Sequence, residues 1–363
     1  MKKVLIFGMT KNYGGIESVL MNYCRNFNRK NLEIDFLCND EHIAYEDEIK
    51  KMGSKIYRVP SRRGNCLEYN KKMKYLFKNI FKKYDTIWVN LCNLANIDYL
   101  IYAKKYGIKK RIIHCHNSDN MGSFIKALHK LNKAILPLYA TDFWSCSDEA
   151  SPWFYSDNII NSDKYLLVNN AIAYDRFKYN PIIRKKIRDK IGIDNKLVFG
   201  NVGRLHFQKN QMYVIDIFKQ ISDKTDNAVL LLIGDGEDRQ KLISKVKDYK
   251  ISDKVKFLGI RKDMTLLFQA MDVLLFPSIF EGLPLSLVEA QASKLLTFTS
   301  TNVSREVKMS NCINFYDLNK SPEYWCDNIM AKVGDYKREN ANEYVKRRGF
   351  DIIVEARKIE RKL

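Results

Sequence analysis

VLLFPSIFEGLPLSLVEAQASK, Val273 to Lys294, carries a strand, a loop and a helix start in one run. Val273 to Phe276 is short, wholly apolar and followed by turn residues, the mark of a buried strand. An amphipathic stretch follows, and Pro284 is placed to open a helix, because the N–H it lacks is one that a first turn leaves unpaired. In a doubly wound parallel sheet, ligands sit where a strand passes through a short loop into a helix. Glu281 then falls in the loop and Glu289 more than one turn into the helix, with Gly282 and the amides of Leu285 and Ser286 between them. Free amides at a helix start favour an anion such as phosphate. Two carboxylates flanking an anion would repel it, so their place is to accept hydrogen bonds from hydroxyls on either side. A sugar on one side and a ribose on the other fit that arrangement.

Outward from this run, strands and helices alternate along the chain. Strands are expected at Val4 to Phe7, Ile34 to Leu37, Thr86 to Val89, Arg111 to His114, Phe143 to Cys146 and Tyr165 to Val168. A second series runs through Leu197 to Asn201, Val229 to Ile233, Val255 to Leu258, Val273 to Phe276 and Leu296 to Thr299. Each series is long enough for its own parallel sheet. The polar, basic passage Tyr174 to Asn195 lies between them, and no strand is needed beyond Asp317. At 363 residues the chain exceeds one ordinary core, and two domains of about 150 to 200 residues follow. The expected division is 1–175, 176–340 and a C-terminal segment 341–363.

Composition narrows the class. With 46% apolar and 29% charged residues and no low-complexity tract, the chain is globular rather than disordered. No apolar run approaches the roughly 18 residues of a membrane span, and MKKVLIFGMT reads as a first strand rather than a signal peptide. A cytoplasmic protein is expected. Eight cysteines lie scattered with no CxxC pair, so they read as reduced thiols. The formal charge of +20 requires an anionic partner: nucleic acid, an acidic membrane or phosphorylated small molecules.

Several strand-end loops carry chemistry. Val202 to Asn210 follows a strand and precedes a helix, with Gly203 at the strand end and two cations, Arg204 and Lys209, suited to a diphosphate. Gly234-Asp235-Gly236-Glu237 permits a tight strand-to-helix turn, for packing or for a ligand. Gly259 ends a third strand, where backbone groups suit a nucleobase. Asn12-Tyr13-Gly14-Gly15-Ile16-Glu17 follows the first strand, and paired glycines before a helix bring amides close to a phosphate. It is not G-x-G-x-x-G, which argues against a dehydrogenase. His114 and His116 alternate at a strand end and so face one side; a metal pair is disfavoured for want of carboxylate or thiolate partners, and one is expected as a buried structural histidine. The chain has no D-x-D triplet to hold a divalent ion on a nucleotide diphosphate, so cations and helix amides must serve instead.

Two basic amphipathic stretches fall in the first half. Ser61 to Lys83 has eight Lys or Arg against Glu68, and Met121 to Ala140 has Lys126, Lys130 and Lys133 with no acid. Such helices lie on anionic membranes or pack their apolar face on their own domain; peripheral membrane contact by the N-terminal half is the expectation.

Taken in order, these motifs resemble a known family. Gly-Gly-x-Glu at 14 to 17, His-Cys-His-Asn at 114 to 117, Ser145-Cys146-Ser147 before Trp153-Phe154, Val168 to Ile172 leading to Phe177, Gly-Arg-Leu at 203 to 205 with Gln208-Lys209-Asn210, Gly-Asp-Gly-Glu at 234 to 237 and Glu281-x7-Glu289 are similar to a GT-B glycosyltransferase of family 4, group 1, close to bacterial exopolysaccharide and capsule enzymes. The resemblance covers essentially the whole chain. It implies an α/β fold of two Rossmann-like, doubly wound parallel-sheet domains facing across a cleft, with the C-terminal helix crossing back to the first. It also implies a hexosyl- or N-acetylhexosaminyltransferase that retains anomeric configuration, needs no metal or cofactor, takes a nucleoside diphosphate sugar, expected to be a UDP-sugar, and delivers to a saccharide or lipid-linked saccharide. On the matching positions, Arg204 and Lys209 would clamp the diphosphate, Glu289 would hold the ribose, Glu281 the donor sugar, and His116 would sit by the transferred sugar, with His114 the weaker candidate. The catalytic assignments are therefore His116 and Glu281; donor binding falls to Gly14, Gly15, Arg204, Lys209, Gly259, Gly282, Leu285, Ser286 and Glu289. Ala171, Ala173 and Lys294 depart from frequent Gly, Asp and Gly, which leaves the clamp untouched.

Two further classes stay open on the residues: a sugar-nucleotide epimerase or phosphorylase on a similar frame, and a nucleic-acid binder explained by charge. The carboxylate pair beside a phosphate site argues against nucleic acid.

Overall fold

The computed structural model describes residues 1–116, 123–338 and 345–363. The chain forms two compact units, Met1–Ala171 with Ile352–Leu363, and Ile172–Asp351. The first holds seven parallel strands: β1 (Lys2–Phe7), β2 (Leu32–Cys38), β3 (Ile56–Arg58), β4 (Thr86–Leu91), β5 (Lys110–Cys115), β6 (Asp142–Ser145) and β7 (Tyr165–Leu167). Their order is β3-β2-β1-β4-β5-β6-β7. The second holds six: β8 (Leu197–Val202), β9 (Ala228–Ile233), β10 (Val255–Gly259), β11 (Val273–Phe276), β12 (Leu296–Ser300) and β13 (Ile313–Tyr316), in the order β10-β9-β8-β11-β12-β13. Both units are thus Rossmann-like and doubly wound. In such a sheet the order reverses once, and the crevice beyond the carboxyl ends of the strands flanking the reversal receives ligands. Here the reversals fall between β1 and β4 and between β8 and β11.

β3 and β13 were not among the expected strands. β3 is three half-buried residues at a sheet edge, too short to show a pattern. β13, Ile-Asn-Phe-Tyr, is also an edge strand and only Ile313 is buried in it, so the apolar run that marks the central strands is missing.

The cores explain why these segments fold. In the first unit Leu5, Ile87, Val89, Ile113 and Phe143 of the sheet pack against Tyr69, Met73 and Phe77 from the helix Cys66–Asn79. In the second, Phe199, Leu230, Leu232, Leu275 and Phe298 meet Val214, Ile217 and Phe218 of the helix Gln211–Lys224 and Trp325 and Ile329 of the helix Pro322–Asp335. Each such side chain contributes about 1.5–3 kcal/mol by leaving water.

The C-terminal helix Ile352–Lys362 belongs to the first unit and packs on the helix Gly15–Asn26. Thr86 Oγ1 donates to the Leu363 carbonyl at 2.8 Å, and Glu360 accepts from the Asn28 amide at 3.0 Å and from Asn31 Nδ2 at 3.1 Å. The C-terminal segment of the first unit begins at Ile352, after a turn in which Gly349 takes φ 83°; residues 339–344 lie outside the described part.

The two basic stretches differ. In the first, Tyr69, Met73, Leu76, Phe77 and Phe81 are buried, so its apolar face packs on its own domain and only Leu67 and Tyr75 remain exposed among its large apolar residues. In the second, the helix Ser123–Ile135 is anchored by buried His129, whose Nδ1 accepts from the Leu94 amide at 3.1 Å while Nε2 faces the Trp153 carbonyl at 3.0 Å. On this helix and the turn after it, Phe124, Leu131, Ile135 and Leu138 are exposed, Phe124 to 72% and Leu131 to 66%. Met121 and Gly122 of that stretch lie outside the described residues.

Candidate functional site

In the second unit the loops after β8 and β11 are tied together at the point of strand reversal. Ile279 N–H donates to the Gln208 carbonyl at 2.8 Å and Gln208 Nε2 to the Phe280 carbonyl at 3.0 Å. Gln211 braces the first loop from within, accepting from the His206 amide at 3.3 Å and donating to the Arg204 carbonyl at 3.0 Å. Asn210, in the left-handed region at φ 55°, turns the chain into the helix that follows; Asn tolerates that conformation better than most residues. The loop after β9 closes against the same backbone. Gly203 N–H bonds to Ile233 O at 3.0 Å, Leu205 N–H to Asp235 O at 3.1 Å and Gly234 N–H to Gly259 O at 2.9 Å. A Cβ on Gly234 would lie 1.9 Å from the Gly203 carbonyl oxygen, and one on Gly236 2.4 Å from that of Leu205. Both glycines are therefore required by packing between loops, and Gly259 contributes its carbonyl.

Lys209 and Glu281 meet in this framework. The Lys209 stem lies along Gly203, where a Cβ would come within 3.1 Å of Cε, and Nζ sits 4.9 Å from the Phe276 ring centre. Nζ reaches Glu281 Oε1 at 2.5 Å, both side chains being largely buried. Among the described residues Oε1 has no partner in hydrogen-bond alignment, so the contact is one of charge rather than a directed bond. Glu281 stands in the loop, its backbone bridged to Val303. Arg204 points to the exposed side and pairs through Nη2 with Glu237 Oε2 at 3.0 Å, while His206 Nε2 faces Glu237 Oε1 at 3.1 Å.

The helix Leu285–Ala292 opens after Pro284 with no side chain capping its start. Its first amides, those of Leu285 and Ser286, are among the donors a helix start leaves unpaired. Gly282 is buried in the preceding loop. Glu289, one turn further, is partly buried, and no hydrogen bond or ion pair to its carboxyl is seen among the described residues. Burial alone lifts that carboxyl from 4.5 to about 8. A partner that donates hydrogen bonds, such as a vicinal diol, would favour the charged form.

The reversal between β1 and β4 in the first unit collects other residues. Gly8, at φ 132°, lets Asn90 come close: a Cβ there would lie 2.6 Å from Asn90 Cβ. Asn90 Nδ2 donates to the Phe7 carbonyl at 3.0 Å, leaving Oδ1 for His116 Nε2 at 2.9 Å. His116 lies just beyond β5, with its ring centre 4.0 Å from that of His114. Burial depresses the His116 imidazolium to about 3, so the ring is neutral at physiological pH. His114 is fully buried and stacks on Trp88 at 5.9 Å, with neither ring nitrogen hydrogen-bonded among the described residues. The buried structural histidine expected from sequence is thus His114, held by aromatic packing because Trp88 and Trp144 enclose the strand end. Asn117 of the motif lies outside the described residues.

Gly14 precedes the helix Gly15–Asn26, and a Cβ on it would lie 2.7 Å from Glu17 Oε2. Glu17 accepts from the Thr10 amide at 3.1 Å and from Thr10 Oγ1 at 2.5 Å, and burial raises its carboxyl pKa. The glycine thus makes room for a carboxyl at the helix start, whereas Gly15 meets nothing within 4 Å. Gly8 and Asn90 carried no sequence signal strong enough to be singled out, and Glu237 was seen only as part of the Gly-Asp-Gly-Glu turn; their roles arise from neighbouring strands.

Residues 183–307 match the family described as glycosyl transferases group 1. The chain is similar to EpsF of Bacillus subtilis (strain 168), 25% identical over 366 aligned positions that cover 96% of this chain and 93% of that protein. It is 33% identical over 216 positions, 54% of this chain and 53% of the relative, to the UDP-Gal:alpha-D-GlcNAc-diphosphoundecaprenol alpha-1,3-galactosyltransferase of Escherichia coli. Among solved structures, that of Anabaena Alr3699/HepE in complex with UDP-glucose superposes with a TM-score of 0.84 at 17% identity, covering 100% of this chain and 99% of the other. That last likeness is one of fold, and the fold is that of GT-B glycosyltransferases.

Proposed function

We propose, from the group 1 glycosyl transferase domain that residues 183–307 carry, that this chain moves a sugar from a nucleoside diphosphate sugar to a saccharide or lipid-linked saccharide in surface polysaccharide assembly. A UDP-sugar is the first choice of donor, in keeping with the donor and the diphosphoundecaprenol acceptor that the Escherichia coli relative's name states. One observation carries the reading. At the β8–β11 reversal, Lys209 stands against Glu281 while the loop bearing Arg204 is bonded to the segment that leads to an uncapped helix start.

Arg204, Lys209 and the amides of Leu285 and Ser286 are assigned to the diphosphate, where they offset the charge that grows on the leaving group as the glycosidic bond breaks. Glu289 takes the ribose hydroxyls and Glu281 the hydroxyls of the donor sugar. Gly282 keeps the loop between them close, and the backbone at Gly259 is assigned to the base. His116, neutral and oriented by Asn90, is assigned to the transferred sugar as a hydrogen-bonding group. Gly14 and Gly15 offer backbone to a phosphate when Glu17 beside them is protonated. Transfer without metal rests on the family resemblance and on the lack of a D-x-D triplet in the sequence. Retention of configuration rests on the family resemblance.

The chain is assigned to the inner face of the cytoplasmic membrane as a peripheral protein. Among the described residues no helix is long and apolar enough to cross a membrane. The exposed row Phe124, Leu131, Ile135 and Leu138, flanked by Lys126 and Lys130, suits the interface of an anionic bilayer, and the buried face of the helix Cys66–Asn79 does not.

Transfer assays with UDP-, GDP- and ADP-sugars and polyprenyl-diphosphate-linked saccharides test the reading. Sugar appearing on an acceptor, with loss in Arg204→Ala and Glu289→Ala, supports it. Unimpaired transfer in both variants refutes the site, and conversion of the nucleotide sugar with no acceptor present points to an epimerase.

A further inference from the structure

We propose that Glu237 is an exchangeable counter-ion for the donor site: it holds Arg204 in the empty enzyme, yields it to the diphosphate, and takes it back as the nucleoside diphosphate leaves. The proposal rests on the donor-site reading above. The two clamp cations each have a carboxylate partner, yet the pairs differ in kind. Lys209 and Glu281 are largely buried, at 19% and 11% side-chain exposure, and Lys209 is immobilised along Gly203. Arg204 and Glu237 are exposed, at 58% and 48%, so this pair can open without stranding a charge away from water.

Glu237 is nevertheless held in place. Its loop lies close against the β8 loop, since a Cβ on Gly234 or Gly236 would meet the Gly203 or Leu205 carbonyl, and Asp238 N–H bonds to Leu205 O at 3.1 Å. His206 Nδ1 accepts from the Gln208 amide at 3.3 Å, which leaves the proton of a neutral ring on Nε2, directed at Glu237 Oε1 at 3.1 Å. When Arg204 turns to a diphosphate, the carboxylate therefore stays nearby and repels the bound anion. This lowers affinity for donor and product alike, and where release of the nucleoside diphosphate limits turnover it raises the rate.

Calorimetric titration of UDP into the full-length protein tests this with Glu237→Gln, which keeps the acceptor for His206, Glu237→Asp, which keeps the charge, and Arg204→Ala. Exposed ion pairs are worth about 0.2–1 kcal/mol, so Glu237→Gln should bind UDP roughly 1.5- to 5-fold more tightly than wild type, with Glu237→Asp near wild type. In the Arg204→Ala background the gain should shrink, since the pair to be broken is gone. Equal or weaker UDP binding by Glu237→Gln, or a full gain without Arg204, overturns the role of Glu237 while leaving the donor site intact. If wild type, Glu237→Gln and Arg204→Ala all fail to bind UDP, GDP or ADP, the donor-site reading falls and this proposal with it.

Discussion

Glu289→Gln should make the unliganded protein more stable and the enzyme worse. Among the described residues the carboxyl has no partner to offset its burial, and its pKa rises from 4.5 in the open chain to about 8 when folded. A carboxyl with a raised folded pKa binds more protons in the native state, so stability falls as pH rises above 4.5 and levels off beyond 8. At pH 7 the open chain gains nearly the full ionisation energy over 2.5 pH steps while the folded chain gains almost none, a cost of about 3 kcal/mol. Glutamine carries no such cost. For a domain of this size, with roughly 2–4 °C per kcal/mol, the variant should melt roughly 6–12 °C higher at pH 7. The difference should fall to about a quarter of that at pH 5, nearly vanish below pH 4 and grow toward pH 8.5. The same carboxyl must ionise to hold ribose hydroxyls at full strength, so wild-type UDP affinity should rise about eightfold from pH 7 to 8.5, and the rise should be absent in the variant. Scanning fluorimetry across pH and titration of UDP read both effects. A melting difference that is zero or independent of pH would refute the reasoning that burial without a partner sets this group's protonation.

Gly234→Ala places a Cβ 1.9 Å from the Gly203 carbonyl at φ 135° and should destabilise the second unit by roughly 2–5 kcal/mol, with UDP binding lost as the loops part; melting and titration check it. His116→Ala should cut transfer on the order of 100-fold with UDP affinity unchanged, since the ring lies in the unit that lacks the diphosphate clamp; steady-state kinetics beside titration separate the two. Phe124→Glu with Leu131→Glu should weaken sedimentation with anionic phospholipid vesicles at least tenfold at unchanged melting temperature, because both side chains are already in water.

The central strands of both sheets were legible because they are short runs rich in apolar residues between turn residues, and the candidate site around Val273–Lys294 was proposed because a strand end, a proline and two spaced carboxylates fall in one run. Short range made these readable. β3 escaped because three half-buried edge residues leave no pattern, and β13 because only its first residue is buried. Gly234 and Gly236 looked equally suited to a ligand or to packing; only the distance to the next loop's carbonyls decided for packing. Glu237, Asn90 and Gly8 gain their roles from residues tens of positions away, and parallel register brings such partners together without marking them in the sequence. The expectation of membrane contact treated two basic stretches alike. Periodicity reports that a helix has an apolar face and is silent on whether that face is covered; Tyr69, Met73 and Phe77 are covered and Phe124 and Leu131 are not.

A crystal structure with bound UDP tests the central claim most directly. The diphosphate should lie between Arg204, Lys209 and the amides of Leu285 and Ser286, with the ribose hydroxyls on Glu289 and Glu281 left facing the position of the donor sugar. UDP bound away from the β8–β11 reversal, or with its ribose out of reach of Glu289, would contradict it.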